Sequence, residues 1–178
     1  MLVSRVRPGG RGGFTIIELM IVVALIGVLS AIAVPMFIRY QLKSRSAEGK
    51  INLAAIRTCQ EAYFAEFKTY VAAVPEPPVV PGNARSAFDS ITTDFASLGF
   101  APEGSVYFSY GVALTADGAG YTADAAADID MDGIVQFWGY ANPDNGGAFA
   151  AGQVGCNVAA LTPLTVGPCD PAFGRSVF

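Results

Sequence analysis

The chain of 178 residues contains no histidine. That removes Ser-His-Asp and Cys-His nucleophile pairs, His-ligated zinc and a haem held by a proximal His. Its three cysteines cannot complete an all-Cys zinc site. No Gly-rich loop runs into Gly-Lys-Ser/Thr, and the Gly9–Gly13 run precedes no strand-to-helix turn, so nothing cradles a nucleotide. No acid/base or nucleophile constellation is visible, and no enzyme is expected. Charge is scarce as well. Lys and Arg total 11 against 15 Asp and Glu, only 15% of residues, for a net of −4. So acidic a chain is a poor match for nucleic acid as a main partner. What is abundant is apolar surface: 52% of residues are hydrophobic, and the length allows one modest domain plus an appendage.

Much of that surface is concentrated near the start. Residues 1–13 are Gly-rich and basic, with Arg5, Arg7 and Arg11. Phe14–Ile38 then runs 25 residues with one charge, Glu18, and its uncharged part, Leu19–Ile38, is 20 residues long. As a helix rising ~1.5 Å per residue this part spans about 30 Å, one hydrocarbon core. Leu, Ile and Val occupy all sides, the pattern of a membrane helix. A secretory signal has its apolar stretch before the cleavage point. Here no apolar stretch lies between the arginines and Gly12-Gly13. Cleavage at Gly13-Phe14 would leave the helix in the mature protein; without cleavage the segment is an anchor with a basic head.

Glu18 weighs on that choice. An ionised carboxylate in a spanning helix costs on the order of 2.5–3.5 kcal/mol at mid-bilayer, less near the interface. Cleavage after Gly13 would create an α-amino group on Phe14, with a pKa of about 8. That amine could meet its own Glu18 or the Glu18 of a neighbouring copy. The second option gives a pairing rule for stacking helices in a dry core. The plainer alternative is a first-turn acid favoured by the helix dipole, worth about 0.3–1 kcal/mol.

The run Gly13-Phe14-Thr15-Ile16-Ile17-Glu18-Leu19-Met20-Ile21-Val22-Val23 closely resembles the prepilin signature of type IV pilins and related pseudopilins. Glycine, a bulky apolar residue and a glutamate five positions past the glycine all match. The resemblance is strong over residues 9–70 and weaker beyond. It implies a prepilin peptidase that cuts after Gly13, N-methylation of Phe14, and assembly through Glu18 paired with a neighbour's N-terminal amine. It further implies pilus assembly machinery, a helical homo-oligomeric filament, residence in the inner membrane before assembly, and an extracellular pilus afterwards.

Past Ile38 charge returns with Arg39, Lys43, Arg45, Glu48 and Lys50, while Leu42, Leu53, Ile56, Tyr63, Phe64, Phe67 and Tyr70 keep helical spacings. One helix is expected from about Phe14 to Thr69, its second half amphipathic. Gly27 costs about 1 kcal/mol in a helix interior, and Pro35 removes a backbone hydrogen bond and clashes with the carbonyl of Ala31. In lipid both are tolerated as a harmless kink; the family reading is that Gly27–Pro35 melts when subunits pack. Charge orients the span poorly, because three arginines precede it and Arg39, Lys43 and Arg45 follow. Without residues 1–13, eight basic and fifteen acidic residues remain, a net of about −7.

The expected fold class is α+β: a long N-terminal helix, membrane-spanning in its first half, packed on a small antiparallel β-sheet in a pilin-like way. The segments expected are a leader at 1–13, a transmembrane and assembly half-helix at 14–38, an amphipathic half-helix at 39–70, a connecting loop at 71–104 and an antiparallel sheet at 105–178, with 39–178 one globular head. The loop carries Pro75, Pro77, Pro78, Pro81 and Gly82, and a short helix at Ser90–Leu98 ending at Gly99. Phe95–Gly104 followed by Tyr107 and Tyr110 resembles the entry to the first strand in pilins. Strands are expected at Val106–Leu114, Tyr121–Ala125 and Ile134–Tyr140, with a fourth between Phe149 and Val166. The helix would bury Tyr63, Phe64 and Phe67 against them.

Cys156 and Cys169 bound a loop-rich segment. Outside the cytoplasm they are permitted to form a disulfide, and in a reducing compartment they would be two thiols. The pair also resembles the disulfide-bounded C-terminal loop of many pilins. Cys59 is left over and reads as a small buried hydrophobe. Asp128, Asp130 and Asp132 before Gly133 resemble the start of a calcium loop, with Gly139 where a bidentate glutamate belongs; Asp124, Asp144 or Asp170 could contribute instead. The alternative is a solvated Asp-Gly turn. Adhesion, twitching motility and DNA uptake are the uses the pilin resemblance implies. A pseudopilin of a type II secretion system and a membrane-anchored calcium-binding protein are the rivals. An electron carrier built on Tyr40, Tyr63, Phe64, Phe67 and Tyr70 is weaker, because those aromatics read first as packing.

Overall fold

A computed structural model describes residues 13–170. The expected leader lies outside the described residues except for Gly13. The chain divides into two compact units, Met1–Arg39 and Tyr40–Phe178.

Helix α1 is assigned over Ile16–Phe67, uninterrupted at Gly27 and Pro35. In the first unit the large apolar side chains of α1 from Ile16 to Ile38 are 44–80% exposed. In the second unit a stripe turns inward: Ser46, Gly49, Leu53, Ile56 and Gln60 are buried, spaced three and four residues apart. Gly49 has a packing reason, since a Cβ there would sit 3.1 Å from the Phe108 ring. Gln60 secures the chain reversal after the helix. Its Nε2 donates to Val71 O at 2.6 Å and its Oε1 accepts from Val71 N–H at 3.0 Å. The expected burial of Tyr63, Phe64 and Phe67 is corrected: Phe67 is 55% exposed, and Tyr63 and Phe64 only flank the core. Tyr63 and Phe64 lie at the edge of the core, where Tyr63 packs on Phe67 and Phe64 stacks on Tyr70.

Five antiparallel strands form the sheet in the order β1 (Ala73–Glu76), β4 (Ser109–Leu114), β5 (Tyr121–Ala127), β6 (Gln136–Asn142) and β7 (Gly167–Pro168). A separate two-residue pair joins β2 (Ser86–Ala87) to β3 (Ser105–Val106). Helix α2 covers Asp94–Leu98 and ends at Gly99, φ 71°. It begins later than expected because Asp89 accepts the N–H groups of Ile91 and Thr92 in a turn. Strand β1 falls inside the segment read as a connecting loop. Pro75 argued against a strand, yet β1 is an edge strand paired only with β4, where proline is tolerated. The fourth strand expected between Phe149 and Val166 is absent among the described residues. That stretch holds a 3-10 turn at Val158–Ala160, and the last sheet pairing is β6 with β7.

All seven residues of β5 are buried, so both sheet faces are covered. Tyr121, Ala123, Ala125 and Ala127 join the core beneath α1. On the opposite face a smaller cluster gathers Ala141, Cys156, Leu161 and Cys169, with Phe137 and Val158 beside it. The second half of α1, the sheet and the C-terminal segment are therefore three layers, not the single helix-on-sheet core expected.

Candidate functional site

The N-terminal motif begins one helix. Thr15 caps it: its Oγ1 accepts the Glu18 N–H at 3.3 Å, and Glu18 Oε2 accepts from Thr15 N–H and Oγ1, each at 2.8 Å. This reciprocal arrangement is a capping box. Within its own chain Glu18 is thus held at the helix start by neutral donors. Phe14, the residue before Thr15, is 86% exposed. Downstream, Gly27 has open space around it, and Pro35 lies inside the helix. The 18-residue window that best fits a membrane span has none of its residues buried. An apolar helix exposed all round needs lipid or other helices for cover.

At the other end of the chain Cys156 and Cys169 form a disulfide, with Cα atoms 5.1 Å apart. Burial pushes the thiol of Cys59, a free cysteine packed at the core edge, above its usual pKa. The disulfide rests on a row of small residues in register across the sheet: Gly111 opposite Asp124, Asp124 opposite Gly139, Gly139 opposite Gly167. A Cβ on Gly139 would lie 2.7 Å from Cys156 Sγ, and one on Gly111 would lie 2.6 Å from Gln153 Cβ. Between these glycines the fully buried Asp124 reaches into the C-terminal segment. Its Oδ1 accepts from Gln153 N–H at 3.0 Å; its Oδ2 accepts from Val154 N–H at 2.9 Å and Cys156 N–H at 3.2 Å. Burial pushes this carboxyl up, and the Val154, Cys156 and Gln153 donors pull against it. Sequence reasoning offered Asp124 only as a spare metal ligand. The missed signal was an acid alternating with Ala123 and Ala125 in a strand otherwise built for burial.

Asp128, Asp130 and Asp132 come together, each offering an oxygen within 4.8 Å of the others. They also bond within their loop. Asp128 Oδ2 accepts from Gly133 N–H at 3.2 Å, and Asp132 Oδ1 accepts from Ile134 N–H at 2.7 Å. Asp128 Oδ1 is buried without a hydrogen-bond partner among the described residues, which fits an oxygen-ligated cation. Asp144 serves its own turn by accepting from Gly146 and Ala148 N–H, so neither it nor Asp124 joins the cluster.

The chain thus combines an uncovered apolar helix segment, capped reciprocally by Thr15 and Glu18, with a disulfide-closed α+β head. Residues 9–34 match the family model of the prokaryotic N-terminal methylation motif. The chain is 42% identical over 117 residues to the type IV major pilin protein PilA of Myxococcus xanthus, a match covering 65% of this chain and 43% of that protein. It is 49% identical over 59 residues to the type IV major alpha-pilin of Moraxella bovis, covering 33% of this chain and 37% of that one. It is 60% identical over 42 residues to the type IV major fimbrial protein FimA of Dichelobacter nodosus, covering 24% and 26% respectively. The match spans less than half the length of each of these relatives. No solved structure matches the chain. The motif is the N-terminal methylation motif, and these relatives are type IV pilins and fimbrial proteins.

Proposed function

We propose that this chain is the structural subunit of a type IV pilus filament and performs no catalysis. The observation that carries this is the Gly13–Glu18 motif at the capped start of a helix whose apolar stretch up to Ile38 is uncovered. A prepilin peptidase cuts after Gly13, and the freed amine of Phe14 is methylated. The helix waits in the inner membrane, where the Thr15 donors satisfy Glu18. On assembly by the pilus machinery the carboxylate takes the Phe14 amine of an adjacent copy, and the apolar surface exchanges lipid for other helices. Gly27–Pro35 is where the helix opens under that packing, because Pro35 has no N–H for the Ala31 carbonyl. The filament is then extracellular, where the Cys156–Cys169 bridge persists. Mass spectrometry of sheared surface filaments tests this reading. A subunit lacking residues 1–13 and carrying one added methyl supports it, and an intact Met1 refutes it.

A second reading concerns the acidic loop. The unpartnered Asp128 Oδ1 favours calcium held by Asp128, Asp130 and Asp132, with water completing the shell. Bound there, the divalent ion would offset two of the three carboxylate charges and fix the turn between β5 and β6. Calorimetric titration of the full chain with calcium, then magnesium, tests it. Saturable binding abolished by Asp130→Asn with Asp132→Asn is expected, and no heat of binding would refute it.

A further inference from the structure

We propose that a groove beside Tyr107 binds the phosphate group of an anionic phospholipid. The groove is open to solvent, with a volume of about 500 Å³, and its lining includes Gln41, Ser44, Arg45, Glu48, Arg85 and Tyr107. The first four recur at helical spacing, so one face of α1 supplies that side. Arg85, next to β2, and Tyr107, between β3 and β4, supply the other. The guanidinium carbons of Arg45 and Arg85 each lie 5.0 Å from the centre of the Tyr107 ring. Arg45 is tethered by its Nη1, which donates to Asn83 O at 3.2 Å.

Two like charges share one aromatic ring here, and among the described residues neither forms an ion pair with a carboxylate. The acid in the groove, Glu48, is held against its wall, its Oε1 accepting from Tyr107 N–H at 2.6 Å and from Tyr110 Oη at 3.5 Å, and the two arginines exceed it by one charge. What remains is a pair of planar forks that match phosphate oxygens, with the Ser44 hydroxyl and Gln41 amide as further donors. The ring offsets only part of the repulsion between the arginines, so an anion between them is favoured.

Lipid is favoured over free phosphate for two reasons. Ile51, which also lines the groove, is 67% exposed and offers apolar contact to a glycerol and acyl stem. The groove also starts at Gln41, three residues after the apolar run ends at Ile38, within a stretch carrying Arg39, Lys43 and Arg45. Basic clusters next to a membrane span attract anionic headgroups. This accounts for cations on the flank where they blur the orientation of the span. The proposal rests on membrane insertion of the helix and is independent of filament assembly.

The test uses the full chain in neutral maltoside micelles, titrated separately with dihexanoyl phosphatidylglycerol, dihexanoyl phosphatidylcholine and inorganic phosphate, with arginine Nε–H signals read by NMR. Saturable phosphatidylglycerol binding that moves the Arg45 and Arg85 signals is expected. Arg85→Gln, at an exposed position, should weaken it about tenfold, since one charged fork is lost. Arg85→Lys should fall between, and Arg57→Gln, beside Tyr140, should leave it unchanged. Equal affinity for free phosphate or for phosphatidylcholine would overturn the proposal, as would binding indifferent to Arg85→Gln in a variant with a native near-UV spectrum. Leader cleavage and filament yield are scored separately, so a failure to assemble cannot pass for a failure to bind lipid.

Discussion

Replacing Asp124 by asparagine removes one charge from the middle of the sheet at almost constant volume. The carboxylate accepts three backbone N–H groups through two oxygens, two of them on Oδ2. An asparagine has one acceptor oxygen. If that oxygen serves Val154 and Cys156, the amide NH₂ confronts Gln153 N–H, and a charge-assisted bond becomes an unsatisfied donor. Losing such a bond costs about 1.5–3 kcal/mol, and an orphaned buried donor about 1–3 more. The neutral amide avoids the burial penalty that pushes the Asp124 carboxyl up, which offsets part of the loss. A net destabilisation of about 2–3 kcal/mol follows, or roughly 4–12 °C in melting temperature for a chain of this size. Thermal unfolding of the full chain in mild detergent, followed by near-UV dichroism, measures it. Hydrogen exchange at residues 153–156 should accelerate in the same variant. Asp144→Asn, in an exposed turn, is the control and should change stability by roughly 0.5–1 kcal/mol at most. If Asp124→Asn melts with the parent and keeps its protection at 153–156, the carboxylate does not hold the C-terminal segment and the reasoning fails.

Three further outcomes are expected. Cys156→Ser with Cys169→Ser opens a loop with a sequence separation of 13 residues and should cost roughly 3 kcal/mol in denaturant melts. Asp89 and Asp117 are held below the usual carboxylate range, chiefly by the Thr92 and Thr115 hydroxyls. Their stabilisation is present above the unfolded pKa near 3.8 and is lost as pH falls through the lower folded values, so acid should weaken the fold below about pH 4. Asp89→Asn with Asp117→Asn should flatten that acid slope. Glu18→Ala should insert into membranes normally, as cell fractionation would show, but yield few sheared filaments; normal piliation would remove the pairing argument.

The helix from Ile16 onward was legible because its physics is one-dimensional. A run of Leu, Ile and Val long enough to span lipid leaves little choice but one exposed apolar helix. The head was harder, since its decisive contacts are distant in sequence. Phe67 keeps helical spacing with the buried stripe, yet it is the exposed last residue of α1, and nothing local marks where burial ends. Proline at position 75 reads as a loop until the pairing with β4 makes it an edge strand. The cysteines showed that the C-terminal segment closes on itself, but not that it covers the second face of the sheet. That layer depends on Gly111, Asp124 and Gly139 falling in register across three strands, and register is not written in any one of them. The capping box is spelled out in Thr15-Ile16-Ile17-Glu18, but the charge of the glutamate in an apolar run masks its local role as an acceptor.

The most direct measurement is solid-state NMR on filaments grown from two labelled populations, one carrying ¹⁵N at the Phe14 amine and the other ¹³C at the Glu18 carboxyl. Glu18 paired with a neighbour's amine predicts a dipolar contact in the mixed filament at about 4 Å or less. A contact seen only when both labels sit in one chain, or none at all, would contradict the account.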